Sequence, residues 1–369
     1  MITQEADSDS LPIVKNPNFW FSDGNIVLLA SMFAFKIHRG QLQRHSEFFD
    51  GMFDIPQPSK QDTLEGCPLV EMQDSPDDLY HFLGALYDGL YLSFPRPAHF
   101  ARLASVLRLS TKYLVPHLRQ QCLERLTLDW PCTLEAWDAR ENEALGPNTC
   151  YSPRQYTPHP TLVIDLAIEL SLDQFLPSAF YDLSRYGPSK IMYGTPGIKS
   201  ILVSPDEEPR YVCLSNQLFI RTLRGRECAQ RFLLDFLSTH VENRQPSVKC
   251  LYRHPLHPSL TKSHPCVQGF QQIYFDTFRC IGGVAIGRDA DPLFTLNQAM
   301  ERLTKPHRIE SERMRALMCS PCKLEFLDVC ARGREAAWGC IPSWFGLEEV
   351  IEGWGGLDSG SSSNDEQSD

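Results

Sequence analysis

Between Phe19 and Phe53 the chain switches so quickly from β-rich to helical patterning that few folds can accommodate it. The runs Phe19-Trp20-Phe21 and Ile26-Val27-Leu28-Leu29-Ala30 flank Ser22-Asp23-Gly24-Asn25, and in the next run Phe33, Phe35 and Ile37 fall on one side. Asp-Gly between β-rich runs is a hairpin signal, and period-two apolar spacing marks a strand with one buried face. The segment therefore predicts a one-sided hairpin around Asp23-Gly24. After His38 and Arg39 the pattern becomes helical, carrying Leu42, Ser46, Phe48, Phe49, Met52 and Phe53.

The next hundred residues continue this alternation. Pro68-Leu69-Val70-Glu71-Met72 reads as a further strand, and Ser75-Pro76-Asp77-Asp78 as a helix start. Ser75 suits the cap, Pro76 the first helical position, and the aspartates the positive end of the helix dipole. Leu79, Phe82, Leu83, Leu86, Tyr87 and Leu90 then keep the spacing of one buried stripe. Pro97 opens a second helical segment with Phe100, Leu103, Ala104 and Leu107, and Val115-Pro116 a third with Leu118, Cys122 and Leu126. Trp130-Pro131 ends it, since proline cannot continue a helix.

This succession resembles a BTB (POZ) domain, a protein–protein interaction module, over about the first third of the chain. The family places an acidic residue before the first core strand, a His-Arg or His-Lys pair at the end of the second, then a leucine, a serine and paired aromatics. Asp23, His38, Arg39, Leu42, Ser46, Phe48, Phe49, Met52 and Phe53 match these positions. The resemblance implies an α+β fold, a small mixed sheet with helices over residues 16–130, followed by a mainly α-helical region. In related domains the aspartate and a basic residue form a charged pocket near the dimer groove, which makes Asp23, His38 and Arg39 interface candidates. Asp before Gly also has a purely local use, capping a turn. Phe19, Trp20 and Phe21 are candidate anchors, because aromatic residues are enriched at binding hot spots.

Partners follow from the same resemblance. BTB domains often dimerise through a swapped N-terminal strand and a preceding amphipathic helix. Residues 1–15 hold only Ile2, Ala6, Leu11, Ile13 and Val14 among acids and serines, so that helix is not expected. A weak homodimer or heterotypic pairing is the expected assembly, in an adaptor or scaffold role. Some BTB proteins are adaptors for cullin-3 ubiquitin ligases through a hydrophobic-x-Glu contact, from which Met52-Phe53-Asp54-Ile55-Pro56 departs.

The remainder divides by composition into a linker over 131–160, a mainly helical region over 161–357, and acidic, disordered tails at 1–15 and 358–369. Helical faces begin near Leu162, where Phe175-Leu176-Pro177 closes the segment, and after Gly225, where Phe232, Leu233, Phe236 and Leu237 precede a stop at Pro246. Residues 187–213 have turn chemistry, and a last helical block spans about Glu310–Trp338. No repeat of fixed period is present. The region is similar to the C-terminal regions of the fungal BTB expansion, through Leu176-Pro177-Ser178-Ala179-Phe180-Tyr181, Gly225-Arg226-Glu227, Cys319-Ser320-Pro321-Cys322, and Gly333-Arg334-Glu335 with Trp338.

Charge and cysteine usage narrow the function. The formal charge is −11, but −7 of it lies in residues 1–10 and 358–369, leaving the body near neutral. A grip on nucleic acid, which needs clustered Lys and Arg, has no support. No run approaches the ~20 apolar residues of a membrane span, and the start is acidic where a signal peptide is basic. An intracellular protein, in cytoplasm or nucleus, is expected, and thirteen cysteines over a long chain fit reduced thiols better than a disulfide framework.

Cys319 and Cys322 carry the strongest metal signal, because a two-residue gap lets both thiolates reach one tetrahedral zinc. Cys250 and Cys266 can complete the set, with His254, His257 and His264 as substitutes in the same loop. The alternative is a helix start with Ser320 capping, Pro321 in the first turn and no ligand. Otherwise no cofactor is expected. Gly282-Gly283-Val284-Ala285-Ile286-Gly287-Arg288-Asp289 has the glycine spacing of a phosphate loop but lacks its Lys and Ser or Thr. No nucleophile elbow or zinc-protease motif occurs, and no catalytic residue is assigned. The leading function is a non-enzymatic interaction module, and the alternative a metal-stabilised or redox-sensing regulator built on Cys250 to Cys322.

Overall fold

The computed structural model describes residues 12–56, 61–91, 99–145, 151–252, 264–282, 289–304, 318–347 and 354. They form two compact units. The first comprises the described parts of Met1–Asp129, Glu143–Pro158 and Pro196–Arg210; the second those of Trp130–Asn142, His159–Thr195 and Tyr211–Asp369.

The first unit is built on a five-stranded mixed sheet in the order β1-β3-β2-β5-β4. Its strands are β1 (Val14–Trp20), β2 (Ile26–Ala30), β3 (Phe33–Ile37), β4 (Thr63–Leu64) and β5 (Cys67–Met72). β2 and β3 pair antiparallel from Ile26 opposite Ile37 to Ala30 opposite Phe33, so the hairpin turns at Ser31-Met32 and not at Asp23-Gly24. Ser31 takes the left-handed φ of 51° that this tight reversal requires. Asp23-Gly24 instead links β1 to β2, while β1 runs parallel to β3 at the sheet edge. The hairpin also has two buried faces. Leu28, Phe35 and Ile37 belong to the main core, and Val27 and Ala34 with Cys67 form a smaller one covered by Trp20, Leu29, Leu64 and Leu69.

Five helices accompany the sheet in the described residues of this unit: α1 (Arg39–His45), α2 (Glu47–Asp54), α3 (Pro76–Asp88), α4 (Phe100–Lys112) and α5 (Pro116–Asp129). Ser46 caps α2, accepting from Phe49 N at 3.1 Å and donating to Tyr113 O at 2.5 Å. Pro76 opens α3 as its φ demands, but the Ser75 side chain makes no capping bond. Leu79, Phe82, Leu83 and Leu86 are buried as the stripe predicts, with Leu90 beyond the helix end. Pro97 and residues 1–11 lie outside the described residues, and β1 begins at Val14, inside the stretch assigned to the N-terminal tail.

The second unit is helical. It contains α6 (Leu134–Glu143), α7 (Pro160–Glu169), α8 (Leu176–Ser184), α9 (Pro188–Tyr193), α10 (Asn216–His240), α11 (Pro265–Gly282), α12 (Pro292–Thr304) and α13 (Ser320–Trp344). The linker assigned to 131–160 therefore carries a helix, α6, whose Trp137 and Arg140 are buried. Pro177 opens α8 and does not close α7, and α9 lies within 187–213, where turn chemistry predicts no helix. Gly225 sits inside α10, not before it, because a Cβ there would overlap the Phe345 ring at the end of α13. Gly333 of α13 gives way to the Phe236 ring of α10 in the same manner. The C-terminal acidic stretch 358–369 lies outside the described residues.

Candidate functional site

The proposed interface residues divide into core and surface. Phe19 is only 5% exposed and packs among the rings of Phe35, Tyr80 and Tyr87, so it belongs to the core and is not a surface anchor. Trp20 lies half-buried at the edge strand, covering the smaller core, with Lys15 Nζ 5.1 Å above its ring. Phe21 stacks on Tyr87 at 5.0 Å and lies 5.1 Å from the His38 ring.

His38 is held from three sides. Its backbone N–H donates to Tyr87 Oη at 3.0 Å, its Nδ1 lies 3.0 Å from the same oxygen, and Nε2 approaches Asp23 Oδ1 at 3.2 Å. Hydrogen bonds from its own backbone and from His38 hold the Asp23 carboxyl below its ordinary range. Gly24 completes this turn, donating to Phe21 O at 3.1 Å where a Cβ would press within 2.9 Å of Lys36 Cγ. Arg39 does not join the pair. Its guanidinium lies 4.7 Å over the Phe53 ring and donates to Phe53 O at 3.0 Å, which clamps α1 to α2.

A family model for the BTB/POZ domain matches residues 21–128. The chain carries a BTB/POZ domain. BTB domains are protein–protein interaction modules and form a non-enzymatic family. The chain matches none of the curated proteins and none of the solved structures. Among the described residues, no helix is long and apolar enough to cross a membrane.

The BTB surface also exposes large apolar side chains that the sequence reading placed elsewhere or passed over. Phe48, one of the family aromatics, is 43% exposed while Phe49 beside it is fully buried. Its ring lies 5.2 Å from Tyr113, which precedes Leu114, itself 52% exposed and in a left-handed conformation. Asp77, read as a helix-dipole residue, accepts from Ser200 Oγ at 2.5 Å, Ile201 N at 3.1 Å and Leu202 N at 2.8 Å, fixing a loop from far along the chain.

The second unit contains a cysteine cluster and a buried ionic network. Cys250, Cys266, Cys319 and Cys322 are all buried, and their sulfurs lie within 4.8 Å of one another. Cys319 is the N-cap residue of α13, so Ser320 is its first residue and not its cap. The Cys319 thiol sits low, at about 7: burial alone would raise it, but backbone donors from Cys322 and Leu251 and thiol contacts bring it down. Burial pushes the Cys266 thiol up to about 11. His264 joins the cluster's edge, its Nε2 3.8 Å from Cys250 Sγ, while His254 and His257 lie outside the described residues.

In the ionic network Arg140 and Arg185 both pair with Asp182, at 2.7 and 2.5 Å, and with Glu141. Arg185 also reaches Asp291 at 3.3 Å, whose other oxygen accepts from Tyr181 Oη at 2.7 Å. The guanidinium of Arg140 lies between the Trp130 and Trp137 rings, at 4.7 and 4.6 Å. Charged groups this deep persist when paired with opposite charges, so the network is structural. Of the glycine-rich stretch, Gly283–Arg288 lies outside the described residues; Asp289 pairs with Arg226 and accepts from Gln230 Nε2 at 2.6 Å.

Proposed function

We propose that the protein is a non-enzymatic adaptor or scaffold that associates with a second protein chain through its BTB domain. The observation that supports this reading is a pair of exposed apolar side chains on a domain whose family binds proteins: Phe48 and Leu114 stand out beside a well-packed core. The partner is a second copy of this chain or another BTB domain. Pro17 inside the edge strand β1, with the pairing irregularity between Lys15 and Trp20, disfavours backbone addition there and leaves side-chain contacts as the means of association.

Sedimentation of the full chain over a concentration series tests the reading. Concentration-dependent dimerisation, weakened by Phe48→Asp or Leu114→Asp with an unchanged melting curve, is the expected result. Asp is tolerated at the left-handed backbone of residue 114, so that variant reports on the surface and not on the fold. A strict monomer at high concentration, unaffected by these changes or by Trp20→Ala, removes self-association. Failure of the two Asp variants to reduce capture of a second BTB protein would then overturn the assignment of this face.

A further inference from the structure

The four clustered cysteines come from three distant stretches: Cys250 follows α10, Cys266 lies in the first turn of α11, and Cys319 and Cys322 open α13. Three of the sulfur pairs, Cys250–Cys266, Cys266–Cys319 and Cys250–Cys319, are 3.7, 3.6 and 3.6 Å apart, and Cys322 Sγ lies within 4.8 Å of the other three. A disulfide would bring two sulfurs to about 2.05 Å. Four sulfurs each about 2.3 Å from one zinc stand about 3.8 Å apart along every tetrahedral edge. The observed spacings follow the second geometry.

Hydrogen bonding distinguishes thiolate ligands from ordinary packed thiols, because a neutral sulfur is a weak acceptor and a thiolate a strong one. Three of the four sulfurs have an N–H directed at them. Ser247 N donates to Cys322 Sγ at 3.3 Å and Cys319 N to Cys266 Sγ at 3.4 Å. His264 serves Cys250: its Nδ1 accepts from Cys266 N at 3.2 Å, which places the ring proton on Nε2, the atom facing Cys250 Sγ. The N-termini of two long helices, α11 and α13, also meet at the cluster, and their dipoles favour negative charge there.

We propose that Cys250, Cys266, Cys319 and Cys322 bind one zinc ion as a closed, four-thiolate structural site. Soft thiolate donors in a tetrahedron select zinc over the oxygen-seeking cations, and four protein ligands leave no position for a reacting water. The ion ties the loop after α10, the start of α11 and the start of α13 into one knot. It stands inside the apolar cluster of Phe236, Phe270, Met318 and Phe326.

Elemental analysis of the full chain, expressed with zinc and purified under reducing conditions, provides the test. One zinc per chain is expected, retained in the control Cys213→Ser, whose thiol is exposed and outside the cluster, and reduced at least tenfold in Cys322→Ser and Cys250→Ser. Because those variants can lose zinc by misfolding, the wild-type chain is also stripped with a chelator and titrated with cobalt. Thiolate-to-cobalt absorption saturating at one equivalent, with recovery of the melting temperature on adding zinc, supports the site. Absence of zinc and of a cobalt spectrum in folded protein overturns it, as does a Cys250–Cys266 disulfide, full zinc retention in Cys322→Ser, or stoichiometric iron in zinc's place.

Discussion

Adjacent aromatics in α2 have opposite fates. Phe49 is fully buried among Phe53 and Tyr113, whereas Phe48 is partly exposed. Phe49→Ala is expected to cost about 3–5 kcal/mol in denaturant unfolding, and Phe48→Ala less than about 1 kcal/mol. Equal effects would mean the α2 face is assigned wrongly. Ser46→Ala removes both a helix cap and the bond to Tyr113 O, for an expected loss of about 1–2 kcal/mol. Glu141 adds a pH dependence. Burial opposes its charge, but Arg185 and then Arg140 overcome this and hold its carboxyl below the ordinary glutamate range. The unfolded chain titrates near about 4.3, so the stabilisation is complete above that pH and lost as pH falls through the lower folded value. Glu141→Gln should flatten the acid limb of a stability–pH curve; an unchanged limb would assign it to other carboxylates.

At the level of elements, α10 and α13 interlock through reciprocal notches, Phe345 over Gly225 and Phe236 over Gly333. Gly225→Ala and Gly333→Ala are each expected to destabilise by about 1–3 kcal/mol despite alanine's better helix propensity, because the added methyl displaces a ring. Trimming the facing ring in the same chain should recover part of the loss; full additivity would show that the notch and ring are unrelated. These glycines also mark where sequence reading reaches its limit. Gly225 looks like a helix boundary, and only the partner ring explains it inside a helix. Pro177 is equally ambiguous, since proline ends one helix and opens another by the same fixed φ. Strands and helices of the BTB region were legible because each carries its own periodicity and caps. The hairpin turn was misplaced because Ser31-Met32 bears no turn signature, whereas Asp23-Gly24 bears one and serves a different connection. For the cysteines, the two-residue gap of Cys319 and Cys322 was visible and identified half the cluster. Neither Ser247 as a donor nor the Arg140–Asp182 network has any local mark, because their partners are set by packing alone.

For the whole molecule, the buried residues of the BTB core lie between Phe19 and Leu126, so a fragment of residues 12–130 should unfold cooperatively. A broad, probe-dependent melt would show that the loop held by Asp77 is required for folding. The second unit has no such locality. Its helix α6 is completed by Asp182, by Asp291 through Arg185, and by the pairing of Asp138 with Arg334, almost two hundred residues further on. Synthesis proceeds from the N-terminus, so the BTB domain can mature on the ribosome while Trp137, Asp138 and the faces of α8 and α10 await α13. A messenger truncated before Ser320 would therefore yield a finished interaction domain joined to an incomplete helical unit, able to engage a partner and at the same time a target for chaperones and proteases.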